Sequence, residues 1–203
     1  IEAARAWAAL RQRPKRSAIF LAVTAEESGL RGAEFYAAKP IIAAGKTMLN
    51  VNFDSFYPFG AVKDVVVIGA ERTSVYPTVE ATAKRFNLKI KADPHPEQGH
   101  YYRSDHFAFA RAGVPAFSVN MGTEYWGKDE TFGDNIIYEY NAKHYHQPSD
   151  EYKESWDFAG MEQMGRFGWT IGLTIANSGV TTTWRAGDEF LPARQKSLSG
   201  PAQ

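Results

Sequence analysis

The chain has no cysteine among its 203 residues, so it holds no disulfide, no thiolate-ligated metal and no thiol nucleophile. An excess of charge is also lacking, because 23 Lys and Arg balance 23 Asp and Glu. Without a basic footprint to meet phosphates, no nucleic-acid partner is expected. No apolar run approaches the roughly 20 residues that a membrane-spanning helix needs, so no membrane partner is expected either. The glycines form neither a phosphate-cradling Walker loop nor a GxGxxG turn, and there is no HExxH helix. A metal site, if there is one, must be assembled from residues far apart in the chain.

What is present suits a buried core: 44% of residues are hydrophobic and 14% aromatic. The length fits one domain, since domains span roughly 50–250 residues. Extended and helical patterns alternate. Residues 2–12 read as an amphipathic helix, and the run SAIFLAVT at 17–24 as a buried strand. A helix is expected at 30–39, a strand at 47–53 and another over Val65, Val66, Val67 and Ile68. Further along, 75–86 suits a helix, 88–92 a short strand, 105–111 a short helix and 114–119 a strand. Phe158, Met161, Met164, Phe167, Ile171 and Ile175 recur mostly three or four apart, which predicts the longest helix at 157–177. Strands separated by helices predict an α/β fold: a mixed, mostly parallel central sheet with helices on both faces. Residues 121–156 look like a long functional loop. Residues 1–180 are read as the domain and 181–203 as a C-terminal extension or tail, without a clear core pattern.

In open α/β sheets, sites gather where loops leave the carboxyl ends of strands. Glu26 and Glu27 follow one expected strand and Asp54 another. Two adjacent carboxylates repel unless a cation or a proton separates their roles, although an acidic first helical turn accounts for them as well. Asp54 fits a site residue or a turn acceptor. Among the five histidines, His146 lies in Tyr145-His146-Gln147-Pro148-Ser149-Asp150, where Asp150 can fix the tautomer of a ligating imidazole. His144 competes for that role. Asp105 and His106 read as a pocket wall or as an ordinary helix start, and Tyr145 with nearby aromatics as cleft lining or core.

The order VTAEESGLRGAEFYA at 23–37, NVNFDS at 50–55, YRSDHFAFARAGVPAFSV at 102–119 and YHQPSDEY at 145–152 resembles the M28 zinc peptidases across about residues 1–178. The resemblance implies a zinc-peptidase (phosphorylase/hydrolase-like) scaffold and hydrolysis of the N-terminal peptide bond. By motif position, Glu26 would be the catalytic base and Glu27 and His146 would share one zinc. Asp54 would bind the other, and Asp105 and His106 would form the site wall. The family also uses an upstream histidine and a bridging aspartate, which have no counterpart before Ile1. The resemblance therefore implies two zinc ions in an intact relative, but weak, partial or absent binding and impaired activity here. A peptide with a free N-terminus is the implied substrate, and a secreted or periplasmic location is implied. The alternatives are a noncatalytic homologue that binds peptides or forms a homo-oligomer through an open sheet edge, and an esterase or aminoacyl cyclase on the same scaffold.

Overall fold

Val65, Val66, Val67 and Ile68 are all β-branched and lie between Asp64 and Gly69, which favours an extended, doubly covered segment. In the computed structural model, which describes residues 1–199, they form strand β2 (Asp64–Ile68), whose first four residues are buried. The sheet contains three more strands: β1 (Asn50–Phe53), β3 (Lys89–Lys91) and β4 (Ala116–Met121). Their order is β1-β4-β2-β3. The pairs β1/β4 and β2/β3 run parallel, and β2/β4 antiparallel. The sheet is thus mixed, as the sequence predicts, with its one reversal at the centre.

Side chains alternate across a strand, so β4 serves two layers. Phe117, Val119 and Met121 enter one core with Val65 and Val67. That layer is roofed by α3 (Tyr76–Arg85) and α6 (Ala159–Ser178), which contributes Met164, Phe167, Ile171 and Ile175. Ala116 faces the other core with Ala33 of α2 (Arg31–Ala38) and Ala108, Phe109 and Ala110 of α4 (His106–Arg111). A first helix, α1 (Glu2–Ala8), docks on α6 by Trp7, whose ring lies 6.0 Å from that of Trp169.

Three expectations are corrected. Residues 17–24 form no strand: Ile19, Phe20 and Leu21 are 46%, 49% and 42% exposed. A β-prone run becomes a strand only where another strand takes its backbone groups, and residues 17–23 make no backbone–backbone hydrogen bond among the described residues. Phe20 is held instead by Trp7, ring to ring at 6.2 Å. The supposed loop at 121–156 contains a 12-residue helix, α5 (Phe132–Lys143). Its inward face, Phe132, Ile136, Ile137 and Tyr140, has helical spacing but is a short stripe among polar residues, so it is easily passed over in the sequence. Finally, the segment after 181 is packed as far as Ser199, and residues 200–203 of the expected tail lie outside the described residues. Trp184 and Phe190 are buried, and α7 (Leu191–Ser199) places Arg194 fully inside. The Arg194 guanidinium donates to Ala44 O, Thr47 O and Thr182 O at 2.9–3.0 Å.

Candidate active site

Strand β1 lies at the edge of the sheet, and Asp54 leaves its carboxyl end. Asn52 and Asp54 are two residues apart and so share a side of the strand. Ser104, buried just before α4, joins them: its hydroxyl donates to Asp54 Oδ2 at 2.7 Å and accepts from Asn52 Nδ2 at 2.8 Å. Ser55 adds a longer contact to Asp54 Oδ1 at 3.4 Å.

Glu26 and Glu27 occupy a tight loop entering α2. Ala25 and Leu30 both take left-handed backbone, with φ of 57°, and Glu26 O accepts from the Gly29 and Leu30 amides. Left-handed backbone at two residues with side chains is uncommon and costly, and it fixes how the two carboxylates leave the loop. His146 arrives from the segment after α5, also with positive φ, 58°. Its Nε2 lies 2.7 Å from Glu27 Oε1, and the Tyr145 ring stacks on it at 3.9 Å. The pair is open to solvent, with the Glu27 side chain 70% exposed and that of His146 55%.

Glu26 completes the group electrostatically. Burial, and then the charges of Asp54, Glu27 and Asp105, push its carboxyl above the usual range, against a smaller opposite pull from His146. The Asp105 carboxyl is raised as well, by burial and then by Asp54. The Tyr145 hydroxyl is raised by burial, and next by Glu27 and Asp54. The charges of Asp54, Glu27 and Asp105 thus reach Glu26, an environment that favours its protonated form.

Glu27, Tyr145 and His146 touch, and Glu26, Asp54 and Asp105 are linked to them through their charges, whereas three other candidates lie apart. His106 points into the core, 1% exposed, with its ring 4.7 Å from that of Tyr101. Burial, and then the Arg72 charge, lower its pKa to about 4. His144 ends α5 and contacts Ser149 O and Oγ through Nδ1, both at 3.2 Å. Asp150 serves Tyr140, whose hydroxyl is pushed up to about 12 by burial and then by its hydrogen bond to Asp150. The carboxylate beside His146 is Glu27. Asn52 and Ser104 escape a sequence reading. The spacing of Asn52 and Asp54 is a usable signal, but nothing local marks Ser104.

The donors fall short of a zinc site. Catalytic zinc takes about three protein ligands and an open position. Glu27 and His146 offer two, Asp54 is already bonded to Ser104, and no group of three or more His, Asp or Glu side chains among the described residues is placed to hold a metal ion.

The sequence matches Peptidase family M28 over residues 1–169. No curated protein matches it. Among solved structures, the chain is similar to an aminopeptidase from Aneurinibacillus sp. strain AM-1, with 17% identity and a TM-score of 0.42. That likeness covers 80% of this chain and 33% of the other, so the chain spans about a third of its length.

Proposed function

The chain belongs to peptidase family M28, and from that membership we propose that Glu26, Glu27, Asp54 and His146 form an aminopeptidase site whose activity is impaired by its incomplete donor set. The observation that carries this reading is the Glu27–His146 pair, 2.7 Å apart, which joins the two most distant motifs beside the sheet edge. The substrate is a peptide with a free N-terminus, whose α-ammonium the surrounding carboxylates attract. Glu26 is the proton carrier. Its raised pKa suits a base that takes a proton from the attacking water and returns it to the leaving amine. Water adds to the carbonyl carbon and the C–N bond breaks, releasing the N-terminal amino acid and a peptide one residue shorter. Asn52 and Ser104 position Asp54 and do not react.

The test pairs metal content with turnover. Dialysed protein is analysed for zinc and titrated with zinc by calorimetry, and aminoacyl anilides are then assayed with and without the metal. The reading expects weak zinc binding, low release of the amino acid, and loss of that release in Glu26→Gln with zinc affinity unchanged. Two tightly retained zinc ions would overturn the impairment, and cleavage of esters but not peptides would overturn the reaction class. A noncatalytic homologue that self-associates is the second reading, favoured by exposed Ile19, Phe20 and Leu21.

A further inference from the structure

Beyond the carboxylate group lies a cavity of about 180 Å³ between α5 and the 149–156 segment. Its walls are the rings of Phe59, Tyr140 and Trp156, and Glu139, Asp150 and Glu151 add their carboxylates. Phe59 and Tyr140 brace each other 6.1 Å apart, with Tyr57 packed against both at 6.0 and 5.6 Å, and Trp156 is held separately by Tyr152 and Phe158. Such walls hold their faces in place without an occupant, and aromatic faces carry negative charge density that attracts cations.

The charges point the same way. Glu139 is bound to Lys143 at 2.6 Å and Asp150 accepts from the Tyr140 hydroxyl, whereas Glu151 forms no ion pair among the described residues. Lys153 is the one lysine lining the cavity, against three carboxylates. A neutral apolar ligand would gain nothing from the carboxylates, which are exposed and hydrated. An anionic one would meet them directly. The cavity admits a chain of several heavy atoms, ample for an alkylammonium. It also adjoins the proposed site through the chain: His144, which lines it, lies two residues before His146, and the Tyr145 amide donates to Tyr140 O at 3.1 Å.

We propose that this cavity is a side-chain pocket for a cationic residue, lysine or arginine, of the bound peptide. Phe59, Tyr140 and Trp156 flank the aliphatic stem and the charged head, and Asp150 and Glu151 meet the charge. Lys153 is the internal competitor that the ligand displaces. The assignment rests on the peptidase reading above only for the peptide nature of the ligand.

Calorimetric titration of the full chain with lysine amide and with norleucine amide tests it. The two ligands share the α-amine and most of the stem, and differ in the terminal ammonium. Lysine amide is expected to bind at least about fivefold more tightly. The double variant Asp150→Asn/Glu151→Gln should abolish that preference, and Lys153→Met should strengthen lysine amide binding about threefold, with circular dichroism confirming that each variant is folded. Equal affinity of the two ligands in the unmodified chain, or a preference that survives the double variant, overturns the pocket. The readout is binding alone, so a chain that prefers lysine amide yet cleaves esters and not peptides supports the pocket while defeating the peptidase reading. A working peptidase indifferent to the ammonium does the reverse.

Discussion

At the scale of single residues, Glu26 and His106 carry opposite consequences for stability. The Glu26 carboxyl is raised by burial and by three neighbouring carboxylates, so its charged form opposes the fold. That cost is absent below the ordinary carboxylate range and appears as pH rises through the raised folded value. Glu26→Gln should therefore stabilise the protein at neutral pH, by up to about 1 kcal/mol, and the gain should vanish near pH 3. Chemical unfolding at the two pH values checks this. If the variant is less stable at pH 7, the repulsion inferred here is not felt. His106 has the reverse sign. Its folded pKa is lowered to about 4, so stability is full above about pH 6.5 and falls as pH drops toward 4, because the unfolded chain takes up the proton first. Relative to His106→Phe, the protein should lose about 1 kcal/mol between pH 8 and 5.5. Parallel pH profiles of the two proteins would rule that out. Neither sign is legible in the sequence, where Glu26 is one of an acidic pair and His106 one of five histidines. The carboxylates and His146 can be found by the order of their motifs. Ser104 and Tyr57 cannot, because their roles come from elements that meet only after folding.

At the scale of elements, sequence and structure agree where local preference and burial coincide. The run from Val65 to Ile68 is β-branched and is covered on both faces, and α6 shows its apolar stripe in its spacing. They part where a strand depends on a neighbour: 17–24 has the composition of a strand but none of its bonds. They part again in α5, whose inward face, Phe132, Ile136, Ile137 and Tyr140, is a weak stripe among polar residues. The segment after 181 shows a third cause. Its anchors are single large residues rather than a periodic set, and Arg194 satisfies the carbonyls of Ala44, Thr47 and Thr182, which come from two other parts of the chain. Burial lowers the pKa of that guanidinium to about 10, yet it stays charged at neutral pH. Arg194→Met keeps much of the volume and leaves three carbonyls without their donor. It should cost about 3 kcal/mol or more, measured by urea unfolding, because buried acceptors without partners are expensive. Arg194→Lys should recover part of that loss. A cost below about 1 kcal/mol would mean that α7 contributes little to holding the 44–48 turn.

For the whole molecule, exposed apolar side chains and an edge strand bear on the proposed self-association. Ile19, Phe20 and Leu21 are exposed in an extended segment, and β1 has a neighbour on one side alone. Unpaired edges and apolar patches favour association, and β1 carries no charge or proline to prevent it. Light scattering should show a mass that rises with concentration. Phe20→Lys/Leu21→Glu should hold the protein closer to monomer mass while leaving net charge unchanged. A monomer at all concentrations would count against the proposed self-association.

The strand order has a consequence in time. β4 is the last strand in the chain, yet it sits between β1 and β2. During synthesis, β1 and the β2/β3 pair emerge first but have no ladder in common, so the sheet cannot close until Met121 has left the ribosome. Every bond between its two halves then forms across long stretches of chain, which slows folding. Chains stopped before β4 should remain open to proteases, and a stop just beyond it should confer the first abrupt gain in resistance.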